Sequence, residues 1–138
     1  RQKRGKLPPN VMVFQRFAFL AATKLKPSAN KILMYFFSLS GYENYIGIDV
    51  FTIVEDLAIG KKTVITALKE LEENNIIIKT VNLMDKRRND YFMNPLSAWK
   101  GNSYTRSIML KSLRKDNPEQ LSLFDNKITT EKDLYKKK

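Results

Sequence analysis

Apolar residues recur along this chain at two spacings, and the switches between them lay out the elements. After Pro8-Pro9 an apolar run from Val11 to Ala22 carries Phe14, Phe17, Ala18 and Ala21 at helical spacing, while Val11, Val13 and Gln15 alternate as in a strand. The run predicts a short helix with an extended start. Lys26-Pro27-Ser28 makes a helix entrance with Ser28 as the expected N-cap, and the stripe Ile32, Leu33, Phe36, Phe37 and Leu39 follows until Gly41 ends it. Tyr42 to Ile48 suits a turn and a very short strand, after which Asp49 can cap a helix over Val50 to Ala58 with Ile53, Val54 and Leu57 inward. Ile59-Gly60 breaks that helix. Another begins at Lys61 and runs to Asn75, with Val64, Ile65, Leu68 and Leu71 as its expected buried face. Ile76 to Val81 reads as a strand and Tyr91-Phe92-Met93 as its antiparallel mate before Pro95, joined by a loop over Asn82 to Asp90. Beyond Gly101 the pattern weakens to one helix around Ile108, Met109 and Leu113, then to a polar, lysine-rich tail expected to be ordered only in part.

The order helix, short strand, helix, turn, helix, strand, basic loop, strand is that of a winged helix-turn-helix. The expected fold is α+β and mainly helical, with an N-terminal helical extension and a C-terminal tail. Residues 1–10 are expected to form a basic, flexible lead-in, 11–102 the winged-helix domain, and 103–138 a partly disordered extension. A chain of 138 residues with 43% hydrophobic content has room for one core of ordinary size.

Charge narrows the partner. The net charge is +11, and clustered Lys and Arg gain by releasing counterions from phosphates. Residues 1–30 carry seven basic groups and no acidic one, and residues 85–115 carry eight basic against two acidic. Double-stranded DNA is the expected partner. With Cys and His both absent, there is no disulfide, thiolate nucleophile, imidazole base or zinc-thiolate site, so no catalytic residue, metal or cofactor is expected. No stretch approaches the roughly 20 apolar residues that span a bilayer, and no signal-peptide pattern is present, so the chain reads as cytoplasmic. It begins at Arg1, from which a removed N-terminal segment is expected.

The candidate DNA-binding residues follow from the helical wheel. With Val64, Ile65, Leu68 and Leu71 inward, Lys62, Thr63, Thr66 and Lys69 fall on the other side, and Lys61 and Lys62 add charge where free backbone N–H groups already favour a phosphate. Glu70, Glu72 and Glu73 crowd the far end. Lys86, Arg87, Arg88 and Asn89 at the tip of the predicted hairpin are expected to reach a neighbouring groove or phosphate line. Ala58 stands at a turn position where Gly is common, and Gly60 at a cap where Ser or Thr is common.

The stretches Ile48-Asp49-Val50-Phe51, Val54-Glu55-Asp56-Leu57, Lys62-Thr63-Val64 and Ala67 to Glu72, closing with Met93-Asn94-Pro95-Leu96-Ser97-Ala98-Trp99-Lys100-Gly101-Asn102, resemble the plasmid replication proteins of the RepL type. The resemblance spans roughly Val11 to Asn102, and its ending is the distinctive part. It implies a non-catalytic winged-helix initiator that binds its origin and helps load the host replication machinery. Trp99 is expected to act as a core lid over the wing strands. In the tail, Gln120-Leu121-Ser122-Leu123-Phe124 resembles the pentapeptide by which bacterial replication and repair proteins bind the sliding clamp, with Leu123 and Phe124 as apolar anchors and Gln120 as a directional amide. The competing reading is an apolar patch docking the tail on its own domain.

Other classes remain open at this point. A transcriptional regulator or copy-number control protein shares the DNA-binding unit. A rolling-circle nicking enzyme needs a His pair for its metal, and the chain has none. A membrane-surface protein would use Arg1 to Lys6 ahead of Phe14, Phe17 and Phe19, although no membrane partner is expected. Phe14, Phe17, Phe19 and Phe36 together suggest enough aromatic surface for a homodimer.

Overall fold

The computed structural model describes residues 8–81 and 89–135. A two-residue strand, β1 (Met12–Val13), leads into α1 (Gln15–Lys24), so the ambiguous apolar run is a helix with an extended start. Helix α2 (Pro27–Leu39) begins one residue before the expected cap. Its N-cap is Lys26 and no side chain caps it, because the fixed φ of Pro27 already suits the first helical position. It also ends before Gly41, at Ser40, whose hydroxyl turns back to donate to the Phe36 carbonyl at 2.9 Å.

A 3-10 turn (Tyr42–Asn44) and β2 (Tyr45–Gly47) carry the chain to α3 (Val50–Leu57). Asp49 caps α3 as its type demands, accepting from the Thr52 N–H at 2.8 Å. Ala58 then takes a left-handed conformation, φ 54°, and turns the chain into α4 (Lys61–Glu73). Strands β3 (Ile77–Val81) and β4 (Asn89–Met93) pair antiparallel from Ile77 opposite Met93 to Val81 opposite Asn89. Strand β2 adds to the other edge of β4, giving the order β2-β4-β3. Asn89 and Asp90 therefore belong to the strand, not to the loop expected there.

The short β5 (Ala98–Trp99) pairs with β1 and ties the N-terminal extension to the domain. Trp99 is buried, its indole N–H donates to the Asn102 carbonyl at 2.9 Å, and Gly101 at φ 145° lies so close beneath the ring that a Cβ there would meet Nε1 at 3.0 Å. Helix α5 (Ser103–Asp116) follows, then 3-10 turns at Pro118–Leu121 and Glu131–Tyr135.

One core joins all of this. Phe17 of α1, Ile32 and Phe36 of α2, Ile53 of α3, Leu71 of α4, Met93 of β4 and Phe124 of the C-terminal segment are each almost wholly buried in the same cluster. Where a polar tail ordered only in part was expected from Asp116 onward, the described residues carry side chains that pack into the core. Leu121, Leu123, Phe124 and Ile128 are buried, and the Phe124 ring stands 5.7 Å from that of Phe17. The polar text of the tail hides four apolar anchors that find their partners far away in sequence.

Candidate nucleic-acid interface

Helix α4 is held from behind by a stripe at i, i+3, i+4 and i+7: Val64, Ala67, Leu68 and Leu71, all buried. This corrects the expected stripe at one place. Ile65 is 48% exposed, and Ala67 takes the inward position. At 100° per residue, Val64 and Ile65 cannot both centre on one face, and the stripe closes with the residue three positions on. A second stripe of the same spacing, Lys62, Ile65, Thr66 and Lys69, therefore faces outward, and all four residues are exposed.

Contacts at both ends fix how α4 is presented. The Glu70 carboxylate accepts the Lys26 backbone N–H at 3.0 Å, so one of the acidic residues at the C-terminal half is spent on docking to the start of α2. The Tyr35 hydroxyl donates to Asp56 and pins α3 to α2. Burial raises the Tyr35 phenol, and the hydrogen bond and charge of Asp56 push the same way, taking it from 10.0 to about 12. At the other end, Gly60 supplies no side-chain cap, and a Cβ there would meet nothing within 4 Å. Sterics do not require glycine at this position. Its effect is to leave the first-turn N–H groups of α4 open beside Lys61 and Lys62, an arrangement suited to a phosphate.

The structure thus gathers Lys61, Lys62, Thr63, Thr66 and Lys69 as exposed residues on the first two turns and outward side of one helix. Lys62 and Lys69 lie seven residues apart, about 10 Å along the axis. Lys86, Arg87 and Arg88 lie outside the described residues, while the backbone of Asn89 pairs with Val81 at the start of β4. Lys79 is a basic residue outside the set of candidates drawn from the sequence. It is exposed on β3 opposite Tyr91, on the hairpin that leads to the wing. The break in the run Ile76-Ile77-Ile78-Lys79 was the available signal, since the three isoleucines are buried and the lysine is not.

Gln120–Phe124 is placed quite differently from an exposed peptide. Asn75 donates its side-chain amide to the carbonyls of Glu119 and Ser122, at 3.1 and 2.7 Å, and Asn94 donates to Gln120 O at 2.6 Å. Leu121, Leu123 and Phe124 are each at most 3% exposed, while Gln120 and Ser122 are half-buried. The segment is docked on its own domain. The Met93–Asn102 ending has a matching structural role: Asn94 is fully buried and serves both the end of α4 and this segment, and Asn102 caps α5 through Thr105 N at 2.8 Å.

A helix backed by the core, entered through a tight turn, open at its N-terminus and followed by a β-hairpin defines a winged helix-turn-helix, and this chain carries that DNA-binding domain. Comparison with known families agrees, since residues 23–77, from the end of α1 to the start of β3, match the helix-turn-helix domain family. Among solved structures the chain is similar to the adhesin competence repressor of Streptococcus pyogenes, at 16% identity and TM-score 0.42, over 75% of this chain and 78% of that one. A superposition that loose lends no support to any ligand or assembly. No curated protein matches the chain in sequence. Among the described residues, no helix is long and apolar enough to cross a membrane.

Proposed function

We propose that the chain binds specific duplex DNA sites without catalysis, with α4 in the major groove and the wing against neighbouring phosphates. The observation that carries this is the paired architecture of α4, a buried apolar stripe opposite an exposed stripe with Lys62, Thr66 and Lys69, next to an uncapped N-terminus. In this reading Lys61 and Thr63 approach the backbone with the helix N-terminus, Lys62, Thr66 and Lys69 face the groove, and Lys86, Arg87, Arg88 and Asn89 follow the phosphates of the wing side.

The biological setting we favour is plasmid replication initiation, supported by the resemblance of Met93–Asn102 to RepL-type proteins. Transcriptional regulation or copy-number control is the second reading, because the DNA-binding unit serves either. Clamp recruitment through Gln120–Phe124 gains no support from this geometry, since binding would draw Leu123 and Phe124 out of the core. Nor do the aromatics favour a homodimer: Phe17 and Phe36 are buried, Phe14 lies under the Arg106 guanidinium at 4.5 Å, and Phe19 is 37% exposed.

Footprinting on plasmid origin fragments tests the proposal. A protected site inside the origin is expected, with its position shifted in preference by Lys62→Ala and Thr66→Ala, whereas Arg87→Ala weakens all sequences alike and lowers the log–log salt slope by about 1. Equal, sequence-blind losses from all three variants would contradict the assignment of α4 to base reading. A site confined to promoters would move the role to transcription.

A further inference from the structure

Ile65 is the apolar member of the outward stripe of α4. It lies outside the core cluster and keeps 48% of its surface in water. Its neighbours on the helix surface are Lys62 at i−3, Thr66 beside it and Lys69 at i+4, all exposed. A β-branched residue at an exposed helical position is a poorer helix former than Ala, Lys or Glu, so local stability does not explain it. Single exposed apolar residues are ordinary on protein surfaces. This one differs in its place, between two lysines and a threonine on the face that the reading above turns toward DNA.

In a major groove an aliphatic side chain can neither donate nor accept a hydrogen bond. The base feature it recognises there is the 5-methyl group of thymine, the largest apolar group on any base edge, because the N7, O6, O4 and exocyclic amino groups are polar and their desolvation against hydrocarbon is unfavourable. Lys62 and Lys69 on either side favour phosphates and guanine edges, and Thr66 carries a hydroxyl beside its methyl, which leaves Ile65 as the one wholly apolar side chain of the stripe. Resting on the assignment of α4 to the groove, we infer that Ile65 is a specificity-determining residue that selects thymine at one position of the bound site through its 5-methyl group.

Deoxyuridine is the probe, since it is thymidine without that methyl and pairs identically. The full chain is used to enrich a site from a randomised duplex pool, and each thymine of the enriched duplex is then replaced singly by deoxyuridine. At one thymine per copy of α4 on the duplex, the replacement weakens wild-type binding by about fourfold, the value of one methyl group removed from water. The same replacement leaves Ile65→Ala binding unchanged, because that variant has already lost the contact. Ile65→Ala folds as the wild type does, as the position is exposed and alanine is the better helix former. Enrichment followed by a loss at no thymine, or by equal losses in the two proteins, overturns the role of Ile65 and leaves the DNA-reading proposal standing. A wild-type chain that enriches no duplex overturns both.

Discussion

Ala58 sits at φ 54° in the turn between α3 and α4, a conformation that crowds its Cβ. Glycine relieves that crowding while adding freedom to the unfolded chain, and the first effect is the larger at a left-handed position. Ala58→Gly is therefore expected to stabilise the domain by about 0.5–1 kcal/mol in urea unfolding, without altering DNA affinity. Tyr35 gives a pH dependence. Its phenol is raised in the folded state to about 12 from 10.0, so the stability it contributes is complete below pH 10 and is lost as pH rises toward 12. Unfolding measured across that window should show a steeper decline for the wild type than for Tyr35→Phe, and identical slopes would remove Asp56 and burial as its cause. At this scale, reading from sequence worked where the partner is local. Asp49 and the Thr52 N–H are three residues apart, and the cap is legible in that spacing. Ile65 was misplaced for the same local reason, because two adjacent apolar residues offer the template a choice that only the position of Ala67 against the core resolves.

Among the elements, the C-terminal segment was the least legible. The anchors Leu121, Leu123, Phe124 and Ile128 are spaced among polar residues and show no period, and what holds the segment lies far away in sequence: Phe17 of α1 meets Phe124, while Asn75 after α4 and Asn94 after β4 bond the carbonyls of Ser122 and Gln120. A flexible peptide and a docked strap have the same text, and the buried ring of Phe124 separates them. Phe124→Ala should destabilise the whole domain by about 3–5 kcal/mol, the usual range for a buried Phe. Gln120→Ala should cost less than about 0.5 kcal/mol, since its side chain is half-buried and its carbonyl, which Asn94 uses, is kept. A segment that only rests on the surface would leave both variants near wild type. The strands and helices of the winged-helix part, by contrast, followed their hydrophobic spacing to within a few residues, α4 ending at Glu73 against an expected Asn75.

For the molecule as a whole, the charge of +11 announces a polyanionic partner but not the face that meets it. Packing leaves one face of α4 free for that role: α2 and α3 pack against the helix, Glu70 is turned toward the start of α2, and Lys62, Thr66 and Lys69, the residues of the proposed face, are left outward. The winged-helix architecture was readable from element order, since short connections constrain how the helices and hairpin stack. The absence of Cys makes the central claim directly measurable, because one introduced thiol can be labelled uniquely. Thr66→Cys carrying a tethered DNA-cleaving iron chelate should cut the duplex within the protected site, while Met34→Cys, exposed on α2 behind α4, should leave it intact. Cleavage from Met34→Cys with none from Thr66→Cys would contradict the assignment of α4 to the groove.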